Sequence, residues 1–460
     1  MLKTLIEKEL KAILLSPKFA TVFAVCSILI VLSIYIGIEE YKAAAAHYEA
    51  VSSGNKRQIQ DERVMMLLRT DVIRQPDPMQ IFISGISNDI GRQSKISGNG
   101  IKLYNSNYSE NTIFAVFRSM DLMFIMQIIL SLFAILFTYD AISGERESGT
   151  LKLSFANQLP RTRYIIAKLA GSWAGLVIPL LIPLTLGIML VLIFNIPMTF
   201  EHWVRFFLLI GVSFLYLTFF ICLGVLFSAL TRESSGSFLL LLVIWVSSVL
   251  ILPRAGVMTA GRFISVPSSA EIASALYQKN RELNKRHNEW MQDYAREFTS
   301  GRGNGIARFL DDMKEKREKL DQDRAAYDAV INENWRNRKA VREKLGFSLS
   351  RLSPASAYQI AAMNLAGTGI GLKNSYEDQI RRYSEIFNGF RNRKISEAGI
   401  NAYMAVSDPV DISEVPEFKF INQDSGRVLE SVITDIGILL FFNLAAMAGT
   451  FIAFNRYDVR

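Results

Sequence analysis

Residues 203–230 read WVRFFLLIGVSFLYLTFFICLGVLFSAL and carry a single charge, Arg205. This run is long enough to cross the hydrocarbon core of a bilayer as one helix, which takes about 20 residues. The six runs of this character are, in chain order, 19–38, 122–139, 164–196, 203–230, 237–252 and 433–454. Half of the 460 residues are hydrophobic and the mean hydropathy is positive, as expected of a membrane protein. The sequence therefore predicts an all-α polytopic membrane protein with six transmembrane helices.

The distribution of Lys and Arg predicts the orientation of these spans. Four lysines lie within residues 1–18, ahead of the first run, and should hold the N-terminus in the cytoplasm. The segment 140–168 and the tail 455–460 also carry bases, whereas the short loop 195–202 carries no Lys or Arg. The first run is too long for a cleavable signal peptide. We therefore expect a multi-pass protein with both termini in the cytoplasm.

The predicted domain boundaries follow from the spans. Residues 1–18 have apolar and charged residues on opposite faces and predict an amphipathic interface helix, unless they simply extend span one. The other predicted segments are span one (19–38), extracytoplasmic region one (39–121), span two (122–139), a cytoplasmic coupling segment (140–163), spans three to five (164–252), extracytoplasmic region two (253–432), span six (433–454) and a cytoplasmic tail (455–460). Pro179 and Pro183 lie inside span three and are expected to kink it or split it in two.

The two extracytoplasmic regions differ in pattern. Region one begins helically and becomes loop-rich, whereas region two is predicted to be a mainly helical domain. In region two, apolar residues recur every seven positions on both sides of the Gly-rich stretch 301–305. This pattern predicts an antiparallel, coiled-coil-like hairpin over 269–345, with Leu283 and Leu320 facing its seam. A compact helical domain without a protruding arm is the alternative.

The sequence lacks the groups of residues that an enzyme would need. It has no Gly-x-x-x-x-Gly-Lys-Ser/Thr loop to cradle ATP, so no cofactor is expected on this chain. The only histidines, His47, His202 and His287, are far apart and have no Cys or carboxylate cluster nearby, so no metal site is expected. Much of the net charge of +8 is assigned to short segments beside the spans, where bases usually face anionic lipid, and it does not imply nucleic acid.

Polar and small residues inside the spans suggest two further sites. Gln127 and Asn443 either line a translocation path or form hydrogen bonds between helices. The spacing of Gly171 and Gly175 lets another helix approach span three closely, either within one chain or between two subunits. No series of carboxylates runs through the spans, which disfavours a proton-coupled pump.

The polar segment between spans two and three is the most informative candidate site. Residues 140–151 read DAISGERESGTL, and LPRTR follows at 159–163. A charged, Gly-containing segment between two spans either docks a soluble motor or is an ordinary charged loop. The candidate docking residues are Asp140, Glu145, Arg146, Glu147, Gly149, Thr150, Arg161 and Arg163.

This segment resembles that of the type-2 ABC exporter permease family. In that family a Glu-rich stretch ending in Gly-Thr-Leu precedes a Leu-x-x-Pro-x-Ser/Thr-Arg stretch and a Gly-Lys pair that opens span three. Thr162 and Arg163 occupy the Ser/Thr-Arg positions, and Ala167 stands where Gly is usual before Lys168. The large insertions are similar to those of a bacterial subgroup of the family. The resemblance implies the transmembrane permease subunit of a bacterial ABC exporter in the inner membrane.

The resemblance also implies partners. A separate ABC ATPase subunit would bind ATP and Mg²⁺ and dock on a coupling helix around Glu145 and Glu147. A second permease subunit, identical or paralogous, would pair with this chain, and the insertions would cap the translocation path or reach a periplasmic partner. In the alternative function, ATP hydrolysis would move the hairpin and nothing would cross the bilayer, as in a force-transmitting or scaffolding protein.

Overall fold

The structure is a computed structural model, and most of the chain that it describes is helical. It describes residues 2–62, 64, 67–87, 93–97, 100–104, 121–156, 159–299, 306–398, 414–422 and 424–456. The α-helices are α1 (Leu2–Leu14), α2 (Pro17–Asp61), α3 (Leu122–Phe124), α4 (Ser131–Thr138), α5 (Ser143–Glu147), α6 (Thr150–Ala156), α7 (Arg161–Ile193), α8 (Phe200–Leu230), α9 (Ser234–Val246), α10 (Leu252–Phe263), α11 (Ser269–Thr299), α12 (Ile306–Ser350), α13 (Pro354–Leu365), α14 (Ile370–Ala398) and α15 (Ser425–Asn455). Two π-helical segments, Ile125–Leu130 and Ser247–Ile251, join α3 to α4 and α9 to α10.

Six helical stretches of the described chain are long and apolar enough to cross a membrane. Spans one to six lie within the helical stretches Pro17–Asp61, Leu122–Glu147, Arg161–Ile193, Phe200–Leu230, Ser234–Phe263 and Gly426–Asn455. Span four is the most enclosed of the six: 67% of its most apolar 18-residue stretch is buried, because α4, α13 and α15 pack around it. The prediction of an all-α polytopic membrane protein with six transmembrane helices is confirmed.

Two of the span helices bear on sequence predictions. Span one was predicted over 19–38, with region one beginning helically, and α2 runs through both as one helix to Asp61, because the residues that follow the apolar run are good helix formers such as Ala, Glu and Lys. Span three was expected to kink or split at Pro179 and Pro183, and α7 is not split. Neighbouring helices can accommodate the backbone groups that a proline leaves unbonded inside a membrane, and Pro183 is buried among them.

The chain between spans one and two contains a small sheet that the sequence did not predict. Strands β1 (Thr70–Ile73), β2 (Gln93–Ser97) and β3 (Gly100–Tyr104) pair antiparallel in the order β1-β2-β3. Thr70 lies opposite Ile96 across the first pair. Strands of four or five residues give too few alternating positions for a reliable pattern, so this segment was predicted only as loop-rich.

The two inserted regions share one hydrophobic core. Val72 and Ile96 of the sheet and Ile59 of α2 pack in one cluster with Tyr376 and Phe387 of α14. This arrangement is called the inserted domain. The sequence treated the two regions separately, because contacts between residues about 300 positions apart leave no local pattern.

Region two, predicted as one domain over 253–432, is divided in the structure. Helix α13 packs on α8 and α15 within the bundle of spans, and its residues Ala355, Ala357 and Ala361 are fully buried. The Ser353 hydroxyl accepts hydrogen bonds from the Ala355 and Ser356 amides and so caps this helix. Small side chains allow α13 to lie close to its neighbours.

Residues 251–352 form a separate compact unit, called the arm. Helices α11 and α12 run antiparallel, since Asn284 bonds to Arg324 while Lys279 lies over the ring of Tyr327 at 5.5 Å. Leu283 is 4% exposed in the seam, and Leu320 is half-buried. The predicted turn at 301–305 lies outside the described residues. At the other end of the arm, α10 also packs on α12.

Candidate functional site: the segment between spans two and three

The segment after span two is built as two short helices with a break between them. Helix α5 ends at Glu147, and Gly149 follows with a φ of +73°, a left-handed conformation that glycine adopts without strain. The Thr150 hydroxyl donates to the Glu145 carbonyl at 3.2 Å and closes the turn into α6. The Gly-Thr pair of the sequence motif therefore fixes the angle between α5 and α6.

A group of charges that is mostly buried, with Lys8 exposed at its edge, lies behind α5. Lys168 of α7 is 4% exposed, and its Nζ lies 2.9 Å from Glu9 Oε1 of α1 and 3.0 Å from Glu145 Oε1 of α5. Tyr164 donates its hydroxyl to Glu145 Oε2 at 2.6 Å, and Lys8 Nζ lies 3.0 Å from Glu145 Oε1. These five residues, the Lys168 cluster, join α1, α5 and α7.

The Lys168 cluster contains two carboxylates and two ammonium groups, so its formal charge is balanced. A charge that is removed from water must be paired and hydrogen-bonded, or its burial is strongly unfavourable. Burial by itself lowers the pKa of Lys8, but the hydrogen bond to Glu145 and the charges of Glu145 and Glu9 outweigh it, so the pKa is raised. Lys8 therefore keeps its proton within this cluster.

The next two residues of α5 cap two transmembrane helices. Arg146 donates to the carbonyl of Thr231 at 2.6 Å and to that of Ala229 at 3.4 Å, at the end of α8. Glu147 accepts from the backbone N–H of Ser234 at 2.7 Å and from its hydroxyl at 2.9 Å, at the start of α9. A cation at a helix C-terminus and an anion at an N-terminus both complement the helix dipole and satisfy backbone groups that the helix leaves open.

Hydroxyl groups hold the start of α5 against spans four and five. Ser228 of α8 accepts hydrogen bonds from the amides of Ile142 and Ser143 at 2.9 and 3.0 Å. The Ser143 hydroxyl lies 3.1 Å from that of Ser234. Arg161, at the start of α7, donates to the Asn455 carbonyl at 2.8 Å, at the end of α15. The segment is thus bonded to the ends of spans three to six.

The predicted docking residues divide into an inward and an outward group. Glu145 and Arg146 point into the protein, and Asp140 is half-buried, with its main-chain carbonyl accepting from Gly144. Gly149 and Thr150 face outward. With Ser148, Lys152 and Leu153, which were not among the predicted residues, they form the exposed strip. Leu153 is 69% exposed. Arg163 is also exposed, and Glu147 reaches Ser234 from the edge of the strip.

The glycine pair of span three receives a helix of the same chain. A Cβ at Gly171 would lie 2.5 Å from the Cβ of Glu9, and one at Gly175 would lie 3.1 Å from Ile13 Cδ1. Helix α1 therefore rests on α7 at a distance that only glycine permits at Gly171. This close approach brings Glu9 to Lys168, so the glycine pair and the Lys168 cluster belong to one contact.

Gln127 and Asn443 take part in hydrogen bonds with adjacent residues of span four. The Tyr216 hydroxyl donates to the Gln127 carbonyl at 2.9 Å, within the π-helical segment of span two. The Asn443 amide donates to the Leu215 carbonyl at 3.0 Å and to Leu439 at 2.8 Å. The side-chain contact with Leu215 favours the interhelical alternative for Asn443, whereas the bond at Gln127 involves its backbone and does not decide between the alternatives for its side chain. Among the described residues no group of three His, Cys, Asp or Glu could hold a metal ion.

Comparison with known protein families matches residues 4–459 to the ABC-2 family transporter protein. The chain belongs to this family. A search of curated proteins finds no match. The predicted family is thereby confirmed, and the match covers nearly the whole chain. As a member of this family, the chain is a membrane permease component of an ABC transporter and not itself an enzyme.

Sequence reasoning missed the residues that complete the site from other helices. Glu9, Ser228 and Ser234 carry no signal of their own, because a single Glu in an amphipathic helix or a Ser at a span end is common. Tyr164 and Lys168 did offer one signal. They lie four residues apart on one face of the helix, and a lysine well inside an apolar run requires a partner.

Proposed function

We propose that this chain is the permease subunit of a bacterial ABC exporter, driven by a separate ATPase subunit at the inner membrane. In this proposal both termini and the segment 140–163 face the cytoplasm. The family match supports the permease, and the bases of residues 140–168 support the orientation. The sequence has no Gly-x-x-x-x-Gly-Lys-Ser/Thr loop, so ATP and Mg²⁺ belong on the partner chain.

The observation that carries the proposal is an exposed strip mounted on a base whose side chains are hydrogen-bonded to several spans. The strip presents a protruding leucine, Leu153, beside Lys152 and the Gly149 turn. Beneath it, Glu145 is bonded to α1 and α7, and Arg146 and Glu147 are bonded to the ends of spans four and five. A force on the strip is therefore passed to several spans through short hydrogen bonds, as coupling to a soluble motor requires.

We assign docking of the ATPase to the exposed strip, in place of the predicted Glu145 and Glu147. Replacing Glu145 and Glu147 by Ala would remove structural contacts, so a loss of activity would not report on docking. The core of a protein interface is apolar and depleted of charged residues, and its anchors are side chains that become buried in pockets of the partner. Leu153 is the outward residue that meets this description, and Lys152 and Arg163 would form the charged rim around it.

The test replaces Leu153 by Asp. A carboxylate in place of the leucine should lower recovery of the ATPase with the purified permease by at least about tenfold, since burying an unpaired charge at an interface is strongly unfavourable. Leu67→Asp makes the same change at a leucine that is 62% exposed elsewhere in the chain and serves as the matched control. Equal recovery of the ATPase with both variants and with the parent protein would contradict docking on the strip.

A separate experiment tests the orientation of the chain in the membrane. Single cysteines at Lys152 and Leu320, in a chain with Cys26 and Cys222 replaced by Ser, are labelled with a membrane-impermeant reagent in intact cells and in inverted vesicles. The proposal expects position 320 to react in cells and position 152 only in inverted vesicles. The reverse pattern would place the strip outside the cytoplasm and would end the proposal.

The length of the arm favours one second candidate, a force-transmitting protein that moves no substrate. Helix α12 has 45 residues, or about 68 Å at 1.5 Å per residue. Replacement of 280–326 by a short Gly-Ser linker shortens both arm helices and leaves Lys279 and Tyr327, which lie opposite each other, at the end of the shortened hairpin. In the exporter, ATPase binding and substrate efflux survive this replacement. In the force-transmitting alternative, ATPase binding survives and the downstream function is lost.

A further inference from the structure

Positive charge is concentrated at one end of the arm. Residues 252–264 and 334–352 together carry eight bases and one acid, Glu343, whereas residues 269–333 carry twelve bases and thirteen acids. The helices bring the two basic segments together, since α10 packs on the last turns of α12. A Cβ at Gly256 would lie 2.7 Å from the backbone nitrogen of Ser350, which shows how closely the two helices approach. This end is called the arm base.

The arm base also exposes apolar side chains. Gly256 and Ala260 of α10 face α12 and are buried, but other apolar residues of the same short helix remain outside the contact. Val257 is 57% exposed, Met258 68% and Phe263 77%. A helix that combines exposed apolar residues with Arg254 and Arg262 has the composition of an element that lies in the headgroup region of a bilayer.

The arm base contains both points at which the arm is joined to the rest of the chain. Leu252 directly follows Ile251, the last residue of the π-helical segment, and the helical stretch that contains span five continues through α10. At the other end, Ser350 is three residues from Ser353, which caps α13 within the bundle of spans. Both chain ends of the arm are therefore joined directly to helices of the membrane bundle. Aromatic residues are typical of the membrane–water interface, and Phe263, Trp335 and Phe347 lie in the two segments.

We propose that the arm base is a docking surface for anionic phospholipid headgroups of the adjacent membrane leaflet. The eight bases supply the charge complementarity, and the exposed apolar residues of α10 enter the interface between headgroups and acyl chains. This inference concerns the anchoring of the arm and is independent of whether the transporter exports a substrate.

Two other occupants fit less well. A second copy of the chain joined by two-fold symmetry would bring the same patch against itself, so that eight bases would face eight bases. An acidic soluble protein would match the charge but would leave unexplained why apolar side chains are exposed next to the end of a span. Anionic lipid satisfies both the charge and the apolar surface.

The experiment uses the full chain in nanodiscs. A dye sensitive to polarity is attached to a single cysteine introduced in place of Val257, or of the exposed Gln322 as the distal control, with Cys26 and Cys222 replaced by Ser. Discs contain phosphatidylcholine alone or with about one third phosphatidylglycerol, plus a lipid with a headgroup quencher. We expect quenching at position 257 to be at least about twofold stronger in the anionic discs and to weaken at high salt, with no such change at position 322.

Charge variants separate lipid binding from a general effect of charge. Arg254, Arg262, Arg338 and Lys344 are exposed, and no ion pair of theirs is seen within the described part of the chain. Their replacement by Gln should abolish the extra quenching in anionic discs. The control replaces Lys314, Lys316, Arg317 and Lys319, four exposed bases of α12 outside the arm base, by Gln and should retain it.

Three outcomes would overturn the proposal. Equal quenching in neutral and anionic discs would exclude recognition of anionic lipid. Cross-linking of two chains through the cysteine introduced at position 257 would assign the surface to a second copy. Loss of quenching in both charge variants would show that net charge, and not the arm base, is responsible.

Discussion

The Lys168 cluster and the arm use charged residues in opposite ways. The cluster has two acids and two bases, and the side chains of Lys168, Glu9 and Glu145 are 4, 14 and 15% exposed. The arm carries several times more charges, and pairs such as Arg286–Glu282 and Lys285–Glu289 are mostly exposed and lie one helical turn apart. The cluster joins three helices that are distant in sequence, whereas the arm pairs join neighbours on one helix. Depth and number of partners, more than the number of charges, decide where a charge contributes to the fold.

The largest expected effect is that of Lys168→Met. The substitution keeps the approximate length of the side chain but leaves Glu9 and Glu145 without their shared cation. Breaking a buried ion pair by removing one partner costs about 3–5 kcal/mol. We expect a clear fall in the melting temperature of the purified permease in detergent.

Lys152→Met is the matched control, because Lys152 is exposed on the neighbouring strip. It should melt with the parent protein. If Lys168→Met and Lys152→Met had the same melting temperature, the contrast between the cluster and the exposed charges would be lost.

The second prediction tests whether apolar packing between α11 and α12, and not the surface charges, stabilises the arm. Leu283→Ala empties a buried position between α11 and α12 and should cost toward the lower end of about 2–5 kcal/mol, since a two-helix seam can partly collapse into the space. Hydrogen exchange of α11 amides should become faster while that of the spans stays unchanged. Val330→Ala removes an exposed valine of α12 and should leave the exchange rates as they are.

The third effect concerns the glycine that admits α1 to the cluster. Gly171→Ala forces the Cβ of Glu9 to move, and overpacking of this kind costs about 1–3 kcal/mol. Gly437→Ala adds the same methyl group to span six, where nothing lies within 4 Å, and should not destabilise the protein. Rapid proteolysis of residues 1–14 in Gly171→Ala, and not in Gly437→Ala, would show that α1 has been released from α7.

The spans were predictable because a membrane imposes a simple rule on sequence. A helix in lipid must be apolar over about 20 residues, so six such runs give six spans. The same rule could not place the end of α2, since a helix that leaves the membrane is no longer constrained to be apolar. It also could not separate α13, whose small residues pack inside the bundle, from the polar helices around it.

The sequence singled out the segment between spans two and three but could not show which way its side chains point. The break at Gly149 is a local signal, because a left-handed turn favours glycine. The inward direction of Glu145 is not local. It depends on Lys8, which lies 137 positions earlier in the chain, and on Lys168, which α1 reaches only through Gly171. A single sequence does not record which distant charges meet, so the glutamates that identified the segment were first assigned to the partner surface.

The smallest expected effect comes from a Glu→Gln substitution in the arm, which is compared with the same substitution in the Lys168 cluster. Glu282 of α11 accepts hydrogen bonds from Lys279 at 3.0 Å and from Arg286, and the first of these, with the charges of both bases, lowers its pKa. A lowered pKa means that the pair contributes stability above the ordinary Glu range and loses it as the pH falls, but the carboxylate is in contact with water and salt screens it. Glu282→Gln should therefore leave the melting temperature unchanged at neutral pH. Glu145→Gln should lower it clearly, because Lys168 and Lys8 then share a neutral amide in a buried site. Equal shifts for the two variants would mean that burial does not distinguish these regions, and the comparison would have to be abandoned.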